Sequence, residues 1–224
     1  MSKKIDLKIN VPLNWSAVPL KKYLSLIKDM EVYADTSEAL DATLFYHLCN
    51  LDPKYLSQLN ISIYTDIRNK LYKLINIADS PLQRIIKIDD KEYGFEPNLS
   101  EMAYGAYADL MKFKEVKINE DWASIMSILY RPITNKMGLL YEIEPYSGKD
   151  NKELFMNVNM DVHFGAMFFF LHTSMDLLNA TQNYLKKELQ KRVPNYDTTS
   201  IKNGVLTQQL LNWHKGISSN SMRF

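Results

Sequence analysis

The stretch that decides the fold is NMDVHFGAMFFFLHTSMDLLNATQNYLKKELQKRV, residues 159–193. Its first half is almost entirely apolar, whereas residues 186–192 are mostly charged. Because a helix that is apolar on every side is buried, we predict one long helix whose first half is central and whose second half projects into solvent. Pro194 closes this helix, since the residue before a proline is driven out of the helical conformation.

The most apolar run of this helix is too short to cross a membrane. It covers residues 162–171 and includes His163 and Gly165. A bilayer span needs about 20 consecutive apolar residues. We therefore interpret the run as a buried helix segment and expect no membrane span in the chain.

Composition favours helices over a large sheet. Seven glycines and eight prolines in 224 residues specify few turns. We predict a mainly α fold, namely a helical domain with a short N-terminal strand and a small β-hairpin. Residues 1–194 are expected to form this single domain, and residues 195–224 a polar linker followed by an amphipathic C-terminal tail.

Six further helices are predicted from capping residues and from apolar residues that recur every three or four positions. In chain order, they begin near Ser16, Thr36, Pro53, Ser62, Ser100 and Asn119. In the helix that follows Ser62, one apolar face carries Ile63, Ile67, Leu71 and Leu74. Arg131-Pro132 is expected to end the last of the six helices.

Alternation of polar and apolar residues predicts the strands. Residues 4–11 form the N-terminal strand. Residues 83–95 form the hairpin, with Asp89-Asp90-Lys91 as its turn. Leu139–Tyr146 also alternates and favours a further strand.

Charge and cysteine content narrow the function classes. Lysine and arginine together number 27 and aspartate and glutamate 26, which removes the general electrostatic argument for binding nucleic acid or anionic membranes. A nucleic-acid-associated protein stays open as an alternative through one basic patch, formed by Lys186, Lys187, Lys191 and Arg192. Cys49 is the only cysteine, which excludes an intramolecular disulfide and fits a reducing compartment. The N-terminal residues lack the apolar region of a secretory signal.

The spacing of the histidines does not favour a metal site or a nucleophile–base pair. His47 and Cys49 are two positions apart, about 200° around a helix, so local geometry does not pair them. His163 and His172 are nine positions apart on the long helix and therefore lie on opposite faces. We expect no metal and no cofactor.

One set of polar residues keeps an enzyme hypothesis open. Glu142 and Glu144 alternate on a predicted strand and face the same way, and Arg131 stands at a helix end. Gathered in a cleft, they would form the carboxylate/arginine site of a small intracellular enzyme. We favour a solvated strand face for the glutamates and a helix-dipole partner for Arg131. Because glycine-rich phosphate loops and Gly-x-Ser-x-Gly motifs do not occur in the sequence, we interpret the protein as non-enzymatic.

The tail carries the clearest interaction signal in the sequence. After a polar stretch, an amphipathic element presents Leu206, Leu210, Leu211 and Trp213. An apolar segment on a tether either folds back onto its own chain or docks in a groove on another copy or partner, and both alternatives remain open. We predict these four residues as an interaction site.

Several segments resemble those of tailed-phage morphogenesis proteins. VPLKKYL (18–24) and LCNLDPKYL (48–56), followed by a helix, resemble the helix, short Leu-x-x-Leu element and second helix of tail assembly chaperones. KEYGFEPNL (91–99), YGAYADL (104–110) and ILYRP (128–132) are similar to segments of small virion proteins of crAss-like phages, which infect Bacteroidetes.

The resemblance implies a non-enzymatic bacteriophage assembly or virion protein. Such a protein works as a tail assembly chaperone, a connector or a cargo component through protein–protein contacts. Its implied partners are other phage structural proteins or copies of itself, and its implied location is the virion or the host cytoplasm. The shared motifs are architectural, so no functional residue is carried over.

Overall fold

The computed structural model describes residues 8–33, 36–76, 80–114 and 116–192. The fold is mainly α with one small antiparallel sheet, which confirms the predicted fold class. The chain divides into two compact units. The first contains residues 1–79 and 156–163, and the second residues 80–155 and 164–223. One domain over residues 1–194 stays a prediction.

The first unit is built from helices. Its three α-helices are α1 (Leu20–Tyr33), α2 (Ser37–Cys49) and α3 (Ile61–Ile75). Two short 3₁₀ helices, Trp15–Ala17 and Pro53–Gln58, lie between the N-terminal residues and α3. Local signals place the starts of α2 and of the second 3₁₀ helix.

Two of the predicted helix starts are confirmed by their hydrogen bonds. The Thr36 hydroxyl accepts from the backbone N–H of Ala39 at 3.2 Å and caps α2. Asp52 accepts from the N–H of Lys54 at 3.0 Å, with a proline at the first helical position after it. Such caps satisfy backbone donors that lack a partner inside the helix.

The apolar core of the first unit is contributed by all three α-helices. Its most deeply buried members are Leu20, Tyr23, Leu26, Leu44, Phe45 and Leu71. The indole N–H of Trp15 donates to the carbonyl of Leu74 at 2.9 Å, which joins the first 3₁₀ helix to the end of α3. Ile67 and Leu71 are buried as predicted, but Ile63 is half exposed, so the apolar face of α3 begins one turn later than the sequence predicted.

The second unit contains the sheet. Its strands are β1 (Ile85–Ile88), β2 (Lys91–Phe95), β3 (Tyr130–Met137) and β4 (Leu140–Ile143), all antiparallel and in that order across the sheet. The predicted hairpin is β1–β2, and its turn is Asp89-Asp90, since Ile88 pairs with Lys91. A second hairpin, β3–β4, extends the sheet beyond it.

Four helices accompany the sheet: α4 (Tyr104–Leu110), α5 (Trp122–Leu129), α6 (Lys152–Met156) and α7 (Met160–Arg192). The long helix is confirmed within one residue of its predicted start, and its apolar first half is buried. A Cβ added at Gly165 would lie 2.5 Å from the carbonyl oxygen of Pro81, so α7 approaches the backbone before β1 closely. Within the described residues, the apolar stretches of the helices all fall short of the length that would cross a membrane.

Two predicted elements near the N-terminus begin elsewhere or are not found. Ser16 lies inside the first 3₁₀ helix and is not the cap of α1, because the backbone of Val18 and Pro19 is bridged in extended form to residues 158–160. Lys8–Val11, the described part of the predicted N-terminal strand, has no regular secondary structure. Alternation is not enough for a strand, since its backbone also needs a partner.

The other two differences lie near α4 and α5. The helix predicted from Ser100 begins at Tyr104, because the Asn98 side chain accepts from the N–H of Ser100 and holds a turn there. Arg131-Pro132 does end α5, as predicted, but the chain continues directly as β3, a strand that the sequence analysis missed.

Candidate functional site

The β3–β4 hairpin reaches past the rest of the sheet. β2 pairs with β3 only from Phe95–Tyr130 to Tyr93–Pro132, and beyond that point β3 pairs with β4 alone. Pro132 has no backbone hydrogen to donate, which suits the end of a ladder. We call residues 133–143 the arm. Every residue from 134 to 140 is exposed.

The end of the arm is apolar. Met137, Leu139 and Leu140 are 74%, 92% and 77% exposed, and we call these three side chains the tip. Single exposed apolar residues are ordinary, but adjacent ones at the end of a projecting element mark an interaction site. The tip is therefore the strongest candidate site in the described part of the chain.

The turn that presents the tip is tight. Met137 pairs directly with Leu140, so only Gly138 and Leu139 form the turn. Gly138 has φ +62°, a left-handed conformation that glycine adopts without strain. A positive φ at the first central residue is the pattern of a type II′ turn, which matches the twist of a β-hairpin. The turn thus needs a residue that accepts positive φ at position 138 but sets no requirement on the side chain of Leu139.

Both strands of the arm are anchored to β2 by side chains. The Tyr141 hydroxyl donates to the carbonyl of Phe95 at 2.7 Å. The Tyr141 ring lies over Gly94, where an added Cβ would approach ring carbon Cε2 to 2.4 Å. Lys136 Nζ lies 2.8 Å from Glu92 Oε1, so a side-chain bond from β2 also holds the arm. Lys136 and Tyr141 pair with each other next to Met137 and Leu140, so the arm is fixed to β2 up to the residues that bear its exposed tip.

Arg131 pairs with a carboxylate that was not in the predicted carboxylate/arginine set. This partner is Glu96, and the Arg131 and Glu96 side chains are 11% and 9% exposed. The interpretation of Arg131 as a helix-dipole partner stays a prediction, and its direct partner is the Glu96 carboxylate. Glu142 and Glu144 are exposed, in agreement with the predicted solvated strand face.

The structure shows how far Cys49, His163 and His172 are buried, which the sequence analysis considered as candidate site residues. Cys49 is buried, and burial raises the pKa of its thiol to about 11, with Lys22 opposing the shift. His163 is fully buried and His172 is exposed, so the two lie on opposite faces of α7 as predicted. Across the described residues, no group of three or more His, Cys, Asp or Glu side chains is placed to hold a metal ion.

His47 has a partner that the sequence analysis missed. Its Nε2 lies 2.8 Å from Asp29 Oδ2, which joins α2 to α1. Both residues line an open groove of about 320 Å³ in the first unit. The remaining lining residues are Tyr33, Ala39, Ala42, Thr43, Tyr46 and Pro53. Most of this lining is apolar, with one imidazole–carboxylate pair.

The other predicted interaction residues are outside the described structure or only partly inside it. Leu206, Leu210, Leu211 and Trp213 lie outside the described residues, so the tail stays a prediction. In the predicted basic patch on α7, Lys187 is exposed, and nothing is described of the side chains of Lys186, Lys191 and Arg192. The patch also stays a prediction.

Part of the arm was predicted from the sequence: β4 lies within the predicted strand of residues 139–146, whereas β3 and the turn were missed. A glycine between apolar residues, Met137-Gly138-Leu139-Leu140, is a hairpin signal that was available. What the pattern does not show is exposure, because a run of apolar residues is normally read as buried. Comparison of the chain with protein families, with curated proteins and with solved structures finds no match.

Proposed function

We propose that this protein is a non-enzymatic assembly protein that binds partners through the tip of the arm. The observation that supports the proposal is the exposure of Met137, Leu139 and Leu140 on an element that is anchored to the sheet. The resemblance to tailed-phage morphogenesis proteins gives the setting. The partners are other phage structural proteins or copies of the chain, in the virion or the host cytoplasm.

The energetics of the tip fit repeated, individually weak contacts. Full burial of one Leu or Met side chain contributes about 1.5–3 kcal/mol. Association costs about 4–15 kcal/mol in lost freedom, so three such side chains alone give only a weak contact. Multiple copies convert weak contacts into strong ones, because each later contact forms at a high effective concentration.

The charges around the tip favour a protein over an anionic membrane. Surface binding to anionic lipid needs clustered Lys or Arg next to the apolar residues. On the arm, the cation beside the tip is Lys136, which is held by Glu92, and Glu142 adds a negative charge. An apolar pocket on a protein suits this charge pattern better.

The test replaces the tip by the residues of the chain's own polar turn. Leu139→Asp/Leu140→Lys gives the arm the Asp90 and Lys91 side chains that occupy the equivalent places in β1–β2. Particles made with the wild-type chain and with this variant are compared by quantitative mass spectrometry and by co-purification. We expect the variant to lose the phage structural proteins that the wild-type chain retains.

A matched control separates the tip from surface hydrophobicity in general. Leu13 is 80% exposed and lies far from the arm in sequence, so Leu13→Asp removes a similar apolar surface and should leave partner binding unchanged. The proposal fails if the wild-type chain co-purifies with no phage structural protein and is absent from particles. It also fails if the tip variant binds as well as the Leu13 variant.

A further inference from the structure

We propose that the tip of one copy seats in the α1–α2 groove of a second copy. The groove is the one lined by Asp29, Tyr33, Ala39, Ala42, Tyr46 and His47, together with Thr43 and Pro53. This inference rests on the proposed function, in which the arm is the binding element. It adds the identity of one partner, which is the chain itself.

The groove has the chemistry that an aliphatic tip requires. Ala39 and Ala42 lie one turn apart on α2, and their small side chains leave the depression. Tyr33 and Tyr46 border it, and both are exposed although they are large and largely apolar. Aromatic side chains around a small apolar depression are typical of the receiving side of a binding hot spot.

The size of the groove selects a short apolar group. A volume of about 320 Å³ lies at the lower end of ligand-sized clefts. It suits two or three aliphatic side chains presented by a tight turn, as Met137, Leu139 and Leu140 are. The predicted tail element spreads its apolar residues over eight positions of the sequence, from Leu206 to Trp213, whereas the tip gathers its three within residues 137–140.

Charge also favours this occupant. The carboxylate of Asp29 lies on the groove lining and is partly exposed at its bond to His47. The charged residue next to the tip is Lys136, which is of opposite sign. Its bond to Glu92 is an exposed ion pair, and because such pairs are weak, Lys136 can exchange Glu92 for Asp29 when the tip seats. Opposite charges at the rim of an apolar contact set its orientation more than its strength.

A contact of this kind joins two different surfaces. Each copy has one tip and one groove, so each can donate to one neighbour and receive from another. Such heterologous contacts build rings or open filaments rather than closed two-fold dimers. This property provides a test that a symmetric contact would not pass.

The experiment uses two full-length variants, alone and mixed. Leu139→Asp/Leu140→Lys removes the tip, and Ala42→Phe fills the groove. Light scattering with size-exclusion chromatography should show concentration-dependent association of the wild-type chain. Each variant alone should associate about thirtyfold more weakly or worse, as expected for loss of a buried hot-spot side chain.

The mixture carries the decisive result. In a 1:1 mixture, the intact tip of the groove variant meets the intact groove of the tip variant, so dimers form and grow no further. Ala42→Ser does not fill the groove and serves as the matched control, with wild-type association expected. Circular dichroism confirms that each variant is folded, and cross-linking of Leu139→Cys chains to Ala42→Cys chains gives a second readout.

Four outcomes overturn the inference. The first is a wild-type chain that stays monomeric at all concentrations, and the second is a mixture that does not recover dimers. The third is a cross-link between Leu139→Cys and Ala42→Cys chains that is no stronger than that of a Leu13→Cys control. The fourth is an Ala42→Cys/Leu210→Cys chain that cross-links within itself. The last outcome would assign the groove to the tail. If the tip variant loses phage structural proteins while the wild-type chain is monomeric, the proposed function stands and only this inference falls.

Discussion

The two hairpins of the sheet share a turn geometry but differ in what they present to solvent. In β1–β2 the turn is Asp89-Asp90, and in β3–β4 it is Gly138-Leu139. In both, the first central residue has a positive φ, +51° for Asp89 and +62° for Gly138. The first turn ends in charged side chains, whereas the second ends in three apolar ones.

This difference shows which property of the turn residues the fold requires and which property it leaves free. A two-residue turn needs a residue that accepts positive φ, and Asp and Gly both meet that need. The identity of the exposed side chains around it is free. Because β1–β2 shows that charged residues close such a turn in this chain, the apolar tip of β3–β4 has no explanation in the turn itself.

The largest effect is expected at the base of the second hairpin. Gly94→Val should lower the free energy of unfolding by about 2–3 kcal/mol, because its side chain would overlap Tyr141 and Ile143, which lie 2.4–2.8 Å from the Cβ position. Thermal and urea denaturation measure the change. Gly105→Ala is the control, since the nearest atom there is 3.3 Å away. Equal stability of Gly94→Val and wild type would show that the base is not tightly packed.

A smaller loss is expected when the anchoring hydrogen bond is removed. Tyr141→Phe deletes the donor to the Phe95 carbonyl and should cost about 1 kcal/mol in urea denaturation. Tyr104→Phe removes a hydroxyl from a side chain that is 82% exposed and is the control. If Tyr141→Phe costs no more than Tyr104→Phe, the anchor assigned to Tyr141 is wrong.

The same residue gives a prediction on pH. Burial raises the pKa of Tyr141 above its ordinary value, with Arg84 opposing the shift. Its neutral form is therefore favoured in the folded state, and this contribution to stability is full below about pH 10 and lost as the pH rises through the folded-state pKa. In denaturation series above pH 9, the stability difference between wild type and Tyr141→Phe should shrink. A constant difference would argue against this ionisation.

Substitutions at the two positive-φ residues should change the free energy of unfolding differently. Gly138→Ala forces an alanine into positive φ and should cost about 1 kcal/mol, whereas Asp89→Gly should be neutral or slightly stabilising. Denaturation midpoints of both variants measure the pair. A shift of the same sign in both would mean that backbone conformation does not set the difference between the turns.

The smallest effect on stability is expected at the tip. Leu139→Asp/Leu140→Lys should change the free energy of unfolding by no more than about 0.5 kcal/mol, because exposed side chains away from special conformations contribute little. Its effect should appear in association instead, measured by light scattering. A loss of stability of several kcal/mol would place the tip in the core and remove the contrast between the two hairpins.

Much of the fold could be predicted because its signals are local. The apolar first half of α7, the Thr36 cap and the Asp52-Pro53 start each depend on residues a few positions apart. The β1–β2 turn is likewise visible as Asp89-Asp90 between two strand patterns. Such signals hold because a cap or turn acts on its own backbone, whatever surrounds it.

The candidate site could not be predicted in the same way. β3 was missed because Arg131-Pro132 indicates a helix end but not that the next residues find a partner strand. Arg131 and Glu96 are 35 positions apart, and His47 and Asp29 are 18 apart, so no spacing pattern joins them. The sequence also does not show that the tip is exposed, because an apolar residue is written the same way whether it is buried or in solvent.

From the residues alone come the helical character, the long central helix, the capped starts and the polar hairpin, all of which depend on interactions within a few residues. The tertiary structure decided the rest: that β3 and β4 extend beyond β2, that Arg131 pairs with Glu96, and that Met137, Leu139 and Leu140 remain in solvent. The physical reason is that pairing and burial depend on residues distant in the chain, and only folding brings those residues together or leaves them apart.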